Sequence, residues 1–317
     1  MKKIFPVLFV VLSAGIFLLH ADSYRVQKTG EVSRTLHFQD PSQSKDLQVD
    51  NIFGSIVVTG YGGKEVKLFA RKTIKARNES RVQKAEQEVK LDITQEGNVV
   101  DIYVDGPFRQ QHQDREKWED PGYQVHYDFD IQVPLKTNLY LKTATKGDIR
   151  VSNIDGDFKI RHADGKIIMQ DIAGSGTAKT VAGDVEVHFA QNPEAACSFE
   201  TVAGDIRASF PENLSANLLL KTRFGEAYSD FPVTLLPVQS SATEERKNGK
   251  YVYRSNTSVG VRIGAGGPEI TMDTLAGDIL INKKSQGGQN EKIPYLFQHF
   301  HDPAFCRDLC FWPAGDQ

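Results

Sequence analysis

"TVAGDVEVHF", Thr180–Phe189, returns as "TVAGDIRASF", Thr201–Phe210. A Gly-Asp pair inside a repeated ten-residue stretch has two physical readings. It is a loop that cradles a phosphate or a calcium ion, or it is the corner of a structural repeat. The spacing around it separates the two. Gly147, Gly156, Gly165, Gly174 and Gly183 stand nine residues apart, Gly204 and Gly225 follow at intervals of 21, and a last copy stands at Gly277. Thr180, Thr201, Thr222 and Thr274 each precede their glycine by three positions. A weaker early copy, "NIFGSIVVTGYGG", carries Gly54 and Gly63.

Nine residues hold one short strand and one turn. After each glycine the chain alternates: Ile149 and Val151, Val185 and Val187, Ile206 and Ala208, Ile279 and Ile281 share one face, while Asp148 and Arg150, Asp184 and Glu186, Asp205 and Arg207 share the other. That is the pattern of a half-buried strand. Two such units make a coil with two sheet faces, and stacked coils bury one continuous apolar column. Glycine suits the corners, which need positive φ or close backbone approach. The expected fold is all-β: a β-solenoid or β-helix-like stack of short strands. A calcium coil would repeat G-G-x-G-x-D with dense oxygens. Here most units carry a single glycine and Gly165 is followed by Lys166.

Stacking in chain order sets Lys166 between Asp148 and Asp184, and sets Glu186 beside Arg207. It also aligns Asp184, Asp205 and Glu226 as a possible acidic surface stripe. Such a row is either a solvated, self-neutralising ladder or an attractor for cations or a basic partner.

Three stretches resemble the bacterial "putative adhesin" family of exported β-repeat proteins: "DFDIQVPLKTNLYLKTATKGDIRV" (Asp128–Val151), "SRVQKAEQEVKLDITQEGNVVDIYV" (Ser80–Val104) and "IGAGGPEITMDTLAGDILINK" (Ile263–Lys283). The resemblance covers residues 45–283. It implies a β-solenoid-like fold at the cell envelope and no catalytic residues. The chain departs from it in the polar insertion "GPFRQQHQDREKWEDPGY" (Gly106–Tyr123) and in its cysteine-containing tail. Trp118 makes the insertion either a plain exposed loop or a recognition loop.

In the N-terminal part, Val66, Leu68 and Ala70 alternate as in a strand. Val82, Ala85 and Val89 are spaced as in a short helix that Asn78 or Ser80 would cap. "VKLDITQEGNVVDIYV" reads as a hairpin turning at Gln95–Asn98.

The N-terminus, "MKKIFPVLFVVLSAGIFLLHADS", sets two lysines before a 16-residue apolar run, Ile4–Leu19. A spanning helix wants about 20 apolar residues, so the run reads as a signal peptide cleaved after Ala21; an uncleaved anchor is the alternative. The expected organisation is a signal peptide at 1–21, an N-terminal β region with a short helix and the polar insertion at 22–130, a repeat solenoid continuous with it at 131–284, and a tail at 285–317. Net charge is −3, unlike the basic face of a nucleic-acid binder. The expected localisation is exported, periplasmic or cell-surface, with no stable membrane span after cleavage.

Of three cysteines, Cys306 and Cys310 are a disulfide candidate in an oxidising compartment, leaving Cys197 as a buried free thiol. His299, His301, Cys306 and Cys310 are also the one local set of candidate metal ligands. "IGAGGPEI" at Ile263 suggests a phosphate cradle but lacks a third spaced glycine and a lysine, and reads as a tight turn. The chain carries no P-loop, dinucleotide fingerprint, H-E-x-x-H or G-x-S-x-G. No catalytic residue, cofactor or resident metal is assigned. The leading functional reading is a non-enzymatic exported scaffold, adhesin-like or envelope-associated, whose partner is a protein or polysaccharide at the envelope. The alternatives are a periplasmic sensor or regulatory partner of a membrane protein, and a polysaccharide-active enzyme using Asp184, Asp205 and Glu226.

Overall fold

The computed structural model describes residues 24–40, 42–109, 120–237, 241–247, 250–256 and 258–284. The chain begins with β1 (Val26–His37), β2 (Lys45–Asp50), β3 (Ile56–Tyr61) and β4 (Glu65–Ala76). Helix α1 (Glu79–Glu88) follows. Its N-cap is Asn78, whose side chain accepts the Arg81 amide, and its buried face is Val82 and Ala85. Glu79 lies in the first turn, where it favours the positive helix end. β5 (Lys90–Glu96) and β6 (Val99–Asp105) form the expected hairpin, turning at Gly97 with φ 58°.

β7 (Tyr123–Pro134) and β8 (Thr137–Thr143) lead into the short strands of the repeat. These are β9 (Ile149–Ile154), β10 (Phe158–His162), β11 (Ile167–Ile172), β12 (Gly176–Lys179), β13 (Val185–Phe189), β14 (Cys197–Ala203) and β15 (Ile206–Phe210). The chain continues with β16 (Ala216–Phe224), β17 (Ala227–Ser229), β18 (Thr234–Leu235), β19 (Ser241–Lys247), β20 (Lys250–Asn256), β21 (Val259–Ile263), β22 (Glu269–Ala276) and β23 (Ile279–Lys283).

Two long sheets face each other. The first runs β1-β4-β7-β3-β9-β11-β13-β15-β23-β17 and the second β18-β21-β16-β22-β14-β12-β10-β8-β2-β6-β5, while β19 and β20 pair as a separate hairpin. Through the repeat all neighbours are parallel, because the strand after each corner lies on the equivalent strand of the adjacent coil. The alternation read from the sequence is the real one. Ile149, Ile167, Val185, Ile206 and Ile279 all point inward with no exposed surface. Facing them are Phe158, Ile160, Phe199 and Met272 of the second sheet. Between the layers Phe189 stacks on Phe210 at 4.9 Å and meets Phe199 edge-on at 6.2 Å. Each such ring contributes about 1.5–3 kcal/mol by leaving water.

One expectation is corrected. The coils do not stack in chain order. β23 lies between β15 and β17, and β22 lies between β14 and β16. After β17 the chain leaves the stack, and β21 returns antiparallel along β16. The next coil then inserts beside β14 and β15. The glycine period fixes where a corner falls within a coil, and says nothing about which coil pairs with which.

Candidate binding surface

Stacked in space, the corner glycines run Gly54, Gly147, Gly165, Gly183, Gly204, Gly277 and Gly225. Each sits on the backbone of the one before. A Cβ on Gly183 would stand 2.2 Å from the Gly165 carbonyl oxygen, and one on Gly204 would stand 2.1 Å from that of Gly183. Atoms cannot approach so closely, so no other residue fits. The threonine three positions earlier reaches the same carbonyl. Thr180 donates to Gly165 O at 3.0 Å, Thr201 to Gly183 O at 2.8 Å, Thr274 to Gly204 O at 3.0 Å and Thr222 to Gly277 O at 2.9 Å. At Gly165, where histidine replaces the threonine, His162 Nε2 donates to Gly147 O at 2.7 Å while its Nδ1 accepts the Asp164 amide, which sets the tautomer.

The aspartate completes the rung. Asp148 Oδ1 accepts the Lys166 amide, Asp184 Oδ1 the Asp205 amide, Asp205 Oδ1 the Asp278 amide and Asp278 Oδ1 the Glu226 amide. These amides would otherwise be open donors at each corner, which cost free energy when left unpaired. The remaining carboxylate oxygens meet cations. Lys166 reaches Asp184 Oδ2 at 2.9 Å, and Arg207 pairs with both Asp184 and Asp205. Burial pushes the Asp184 carboxyl up, but the Asp205 amide, Lys166 and Arg207 together outweigh it and hold the group below the usual range.

Lys166 therefore lies where the sequence set it. Asp184, Asp205 and Glu226 do share an edge, but Asp278 stands between Asp205 and Glu226, because β23 is interposed. Glu186 is in register with Arg207, yet its carboxylate takes His188 at 2.8 Å instead. The stripe is occupied by its own neighbours.

Gly264–Gly267 make a turn held on Ser215 and Asn217: Ser215 Oγ donates to Gly266 O and accepts the Ala265 amide, and Asn217 donates to Gly267 O. Cys197 is buried and unpaired, with burial raising its thiol pKa. His299, His301, Cys306 and Cys310 lie outside the described residues, as do the leader and residues 110–119 of the insertion with Trp118. Among the described residues, no three metal-ligating side chains gather, and no helix is long and apolar enough to cross a membrane.

The surface that sequence reasoning missed is the outer face of the second sheet. There a shallow groove of about 350 Å³ crosses β6, β2, β8 and β10. Strand register lines up two rows of outward side chains. One row is Asp101, Gln48, Tyr140 and Lys159; the other is Tyr103, Asp50, Lys142 and Arg161. Arg109 closes the β6 side. Its guanidinium lies 4.0 Å over the Tyr103 ring and bonds Asp50 Oδ1 at 3.1 Å. Lys142 takes the other Asp50 oxygen at 3.1 Å. Burial, and then the Asp50 charge, raise the Asp101 pKa.

The second row continues along the stack as Lys179, Glu200, Asp273 and Lys221. Lys179 pairs with Glu200 at 2.7 Å and Lys221 with Asp273 at 2.8 Å. A second groove of about 400 Å³, floored by Phe158, Gly176 and Thr177, meets the first at Tyr140 and Lys159. The signal was present in the repeat. Arg161, Lys179, Glu200, Lys221 and Asp273 each stand four positions before their corner glycine.

Residues 130–263 match the family model described as Toastrack DUF4097. The match runs from within β7 to the end of β21. Three solved structures are similar over most of the chain. A "putative cell adhesion protein" from Clostridium sporogenes is 12% identical, with 81% of this chain and 100% of that one covered and a TM-score of 0.41. A "putative adhesin" from Bacteroides fragilis is 9% identical, with 80% and 97% covered and a TM-score of 0.33. A "putative lipid binding protein" from Parabacteroides distasonis is 13% identical, with 82% and 97% covered and a TM-score of 0.25. Likenesses of that degree carry no argument about function. No curated protein matches the chain. The groove straddles the edge of the Toastrack match: Lys142, Lys159 and Arg161 fall within it, while Gln48, Asp50, Asp101 and Tyr103 come from the strands before it.

Proposed function

We propose that this protein is a non-enzymatic scaffold, exported to the periplasm or cell surface, that binds a component of the cell envelope. The observation that supports this most is the chemistry of the corner. The Gly-Asp motif is engaged rung by rung in coil-to-coil hydrogen bonds. Its carboxylates accept backbone amides, where a glycan-cleaving pair would need two carboxyls facing a shared cleft. The repeat therefore builds a surface, and a long stack of parallel strands offers an extended one. The lysine-led apolar run at the N-terminus supports export, with residues 1–21 removed. The disulfide between Cys306 and Cys310 belongs to the same reading.

The test is fractionation of cells expressing the tagged full chain. The tagged protein is expected in the periplasm, on the envelope or in the medium, lacking residues 1–21, and inert towards a panel of acidic and neutral glycans. Retention of the whole chain in the cytoplasm contradicts export. Turnover of any glycan, abolished by Asp205→Ala, contradicts the non-enzymatic reading.

A further inference from the structure

We propose that the outer face of the second sheet, centred on Lys159 and Arg161 of β10, binds the carboxylate groups of an acidic polysaccharide. This rests on the envelope-binding reading and adds the ligand class and the place.

This face carries a charge pattern that the fold does not need. Lys142, Arg161 and Lys179 lie side by side in register on three consecutive strands. Like charges directly opposite across a ladder destabilise a sheet, and neighbouring strands are only about 4.8 Å apart. Lys142 and Lys179 escape by turning away from each other, to Asp50 on one side and Glu200 on the other. Arg161 is left between them. Lys159, two residues earlier on the same face, is exposed as well. Among the described residues neither Lys159 nor Arg161 meets a carboxylate. On the repeat coils of the first sheet, by contrast, Lys166, Arg150 and Arg207 each reach an aspartate. The unanswered pair on β10 is an anion site awaiting its counter-charge.

The rest of the face selects the class of anion. Strands β2, β8 and β10 are paired on both edges. Their backbones cannot accept a peptide as an added strand, so a ligand here is recognised by side chains alone. Those side chains suit a sugar chain. Tyr140 is 41% exposed and stands directly beside Lys159, a ring on which the C–H face of a pyranose can lie. Gln48 and Asp101 complete its row with groups that bond hydroxyls. The two grooves meet at Tyr140 and Lys159, so a chain can continue from one into the other. Arg161 offers a planar fork for a carboxylate and Lys159 a point charge.

The experiment is calorimetric titration of the chain lacking residues 1–21 with oligogalacturonate, its methyl-esterified form and polyglutamate. Sedimentation with isolated envelopes runs in parallel. Binding of oligogalacturonate is expected to weaken with salt, and Lys159→Gln/Arg161→Gln should lose at least about tenfold in affinity, the scale of one charge-assisted hydrogen bond. Both side chains are exposed, so the variant keeps its melting temperature. Lys159→Arg should retain binding. The methyl ester should bind at least about tenfold more weakly. Equal binding of polyglutamate overturns the glycan assignment in favour of an acidic peptide. Envelope binding that is unchanged in the double variant overturns the site and leaves the envelope reading standing. A wild-type chain that binds neither oligogalacturonate nor envelopes overturns both.

Discussion

Gly183→Ala tests the architecture at its tightest point. The added Cβ would sit 2.2 Å from the Gly165 carbonyl oxygen, and the position has φ 140°. Relief needs a shift of about 1 Å between coils that are about 4.8 Å apart. That shift stretches two backbone bonds at the corner, Gly165 N to Ala182 O and Gly183 N to Ala203 O, each 2.8 Å long. Losing two such bonds costs about 1–3 kcal/mol. Holding alanine at that φ adds about 1–3 kcal/mol. The sum, about 2–6 kcal/mol, is a large part of the stability of an ordinary domain. Urea unfolding followed by circular dichroism measures it, with Gly62→Ala as the control. No atom lies within 4 Å of a Cβ at Gly62 and its φ is not in the strained range, so that variant should stay within about 0.5 kcal/mol of wild type. If Gly183→Ala is as silent as Gly62→Ala, the glycine column is not required by coil contact and the reasoning fails.

The remaining expectations concern the rung, the core and the response to alkali. Asp184→Ala strands the Asp205 amide and should cost about 1–3 kcal/mol, whereas Asp184→Asn keeps the accepting oxygen and should cost well under half of that; equal losses in the urea melts would show that charge, and not the amide bond, matters. Val185 is wholly buried, so Val185→Asp should destabilise by about 3–5 kcal/mol through an uncompensated charge, read as a lower urea midpoint or failure to fold. Burial, and then the Asp92 charge, push the Tyr127 hydroxyl up to about 12, from the ordinary tyrosine value of about 10. Its neutral form is favoured in the fold, so this contribution is fully present below pH 10 and is lost as pH rises towards 12. About 2–3 kcal/mol should disappear across that window, and Tyr127→Phe should flatten the dependence; an unchanged urea midpoint between the two pH values contradicts it.

Much of this was legible because the repeat couples backbone geometry to side-chain identity. A glycine every nine residues announces a corner, and Val185 and Val187 announce the inward face. Asn78 announces the start of the helix. Three things were hidden. The interposed β22 and β23 are invisible to a period, since pairing order depends on where β21 returns. The amide bond that Asp184 accepts was hidden because its partner, Asp205 N, lies 21 residues away. The groove was hidden because its outward Lys159 and Arg161 look like ordinary solvated residues until register sets Tyr140 beside Lys159, and Lys142 and Lys179 beside Arg161.

The most direct test of the central claim compares two faces of one molecule. Envelope binding is measured by sedimentation for the chain without residues 1–21, for Asp205→Asn at the corner of the first sheet, and for Lys159→Gln/Arg161→Gln on the second. The account predicts wild-type binding for Asp205→Asn and a loss of at least about tenfold for the double variant. Loss of binding in Asp205→Asn with its fold intact, and full binding in the double variant, would make the Gly-Asp rung the site and contradict the account.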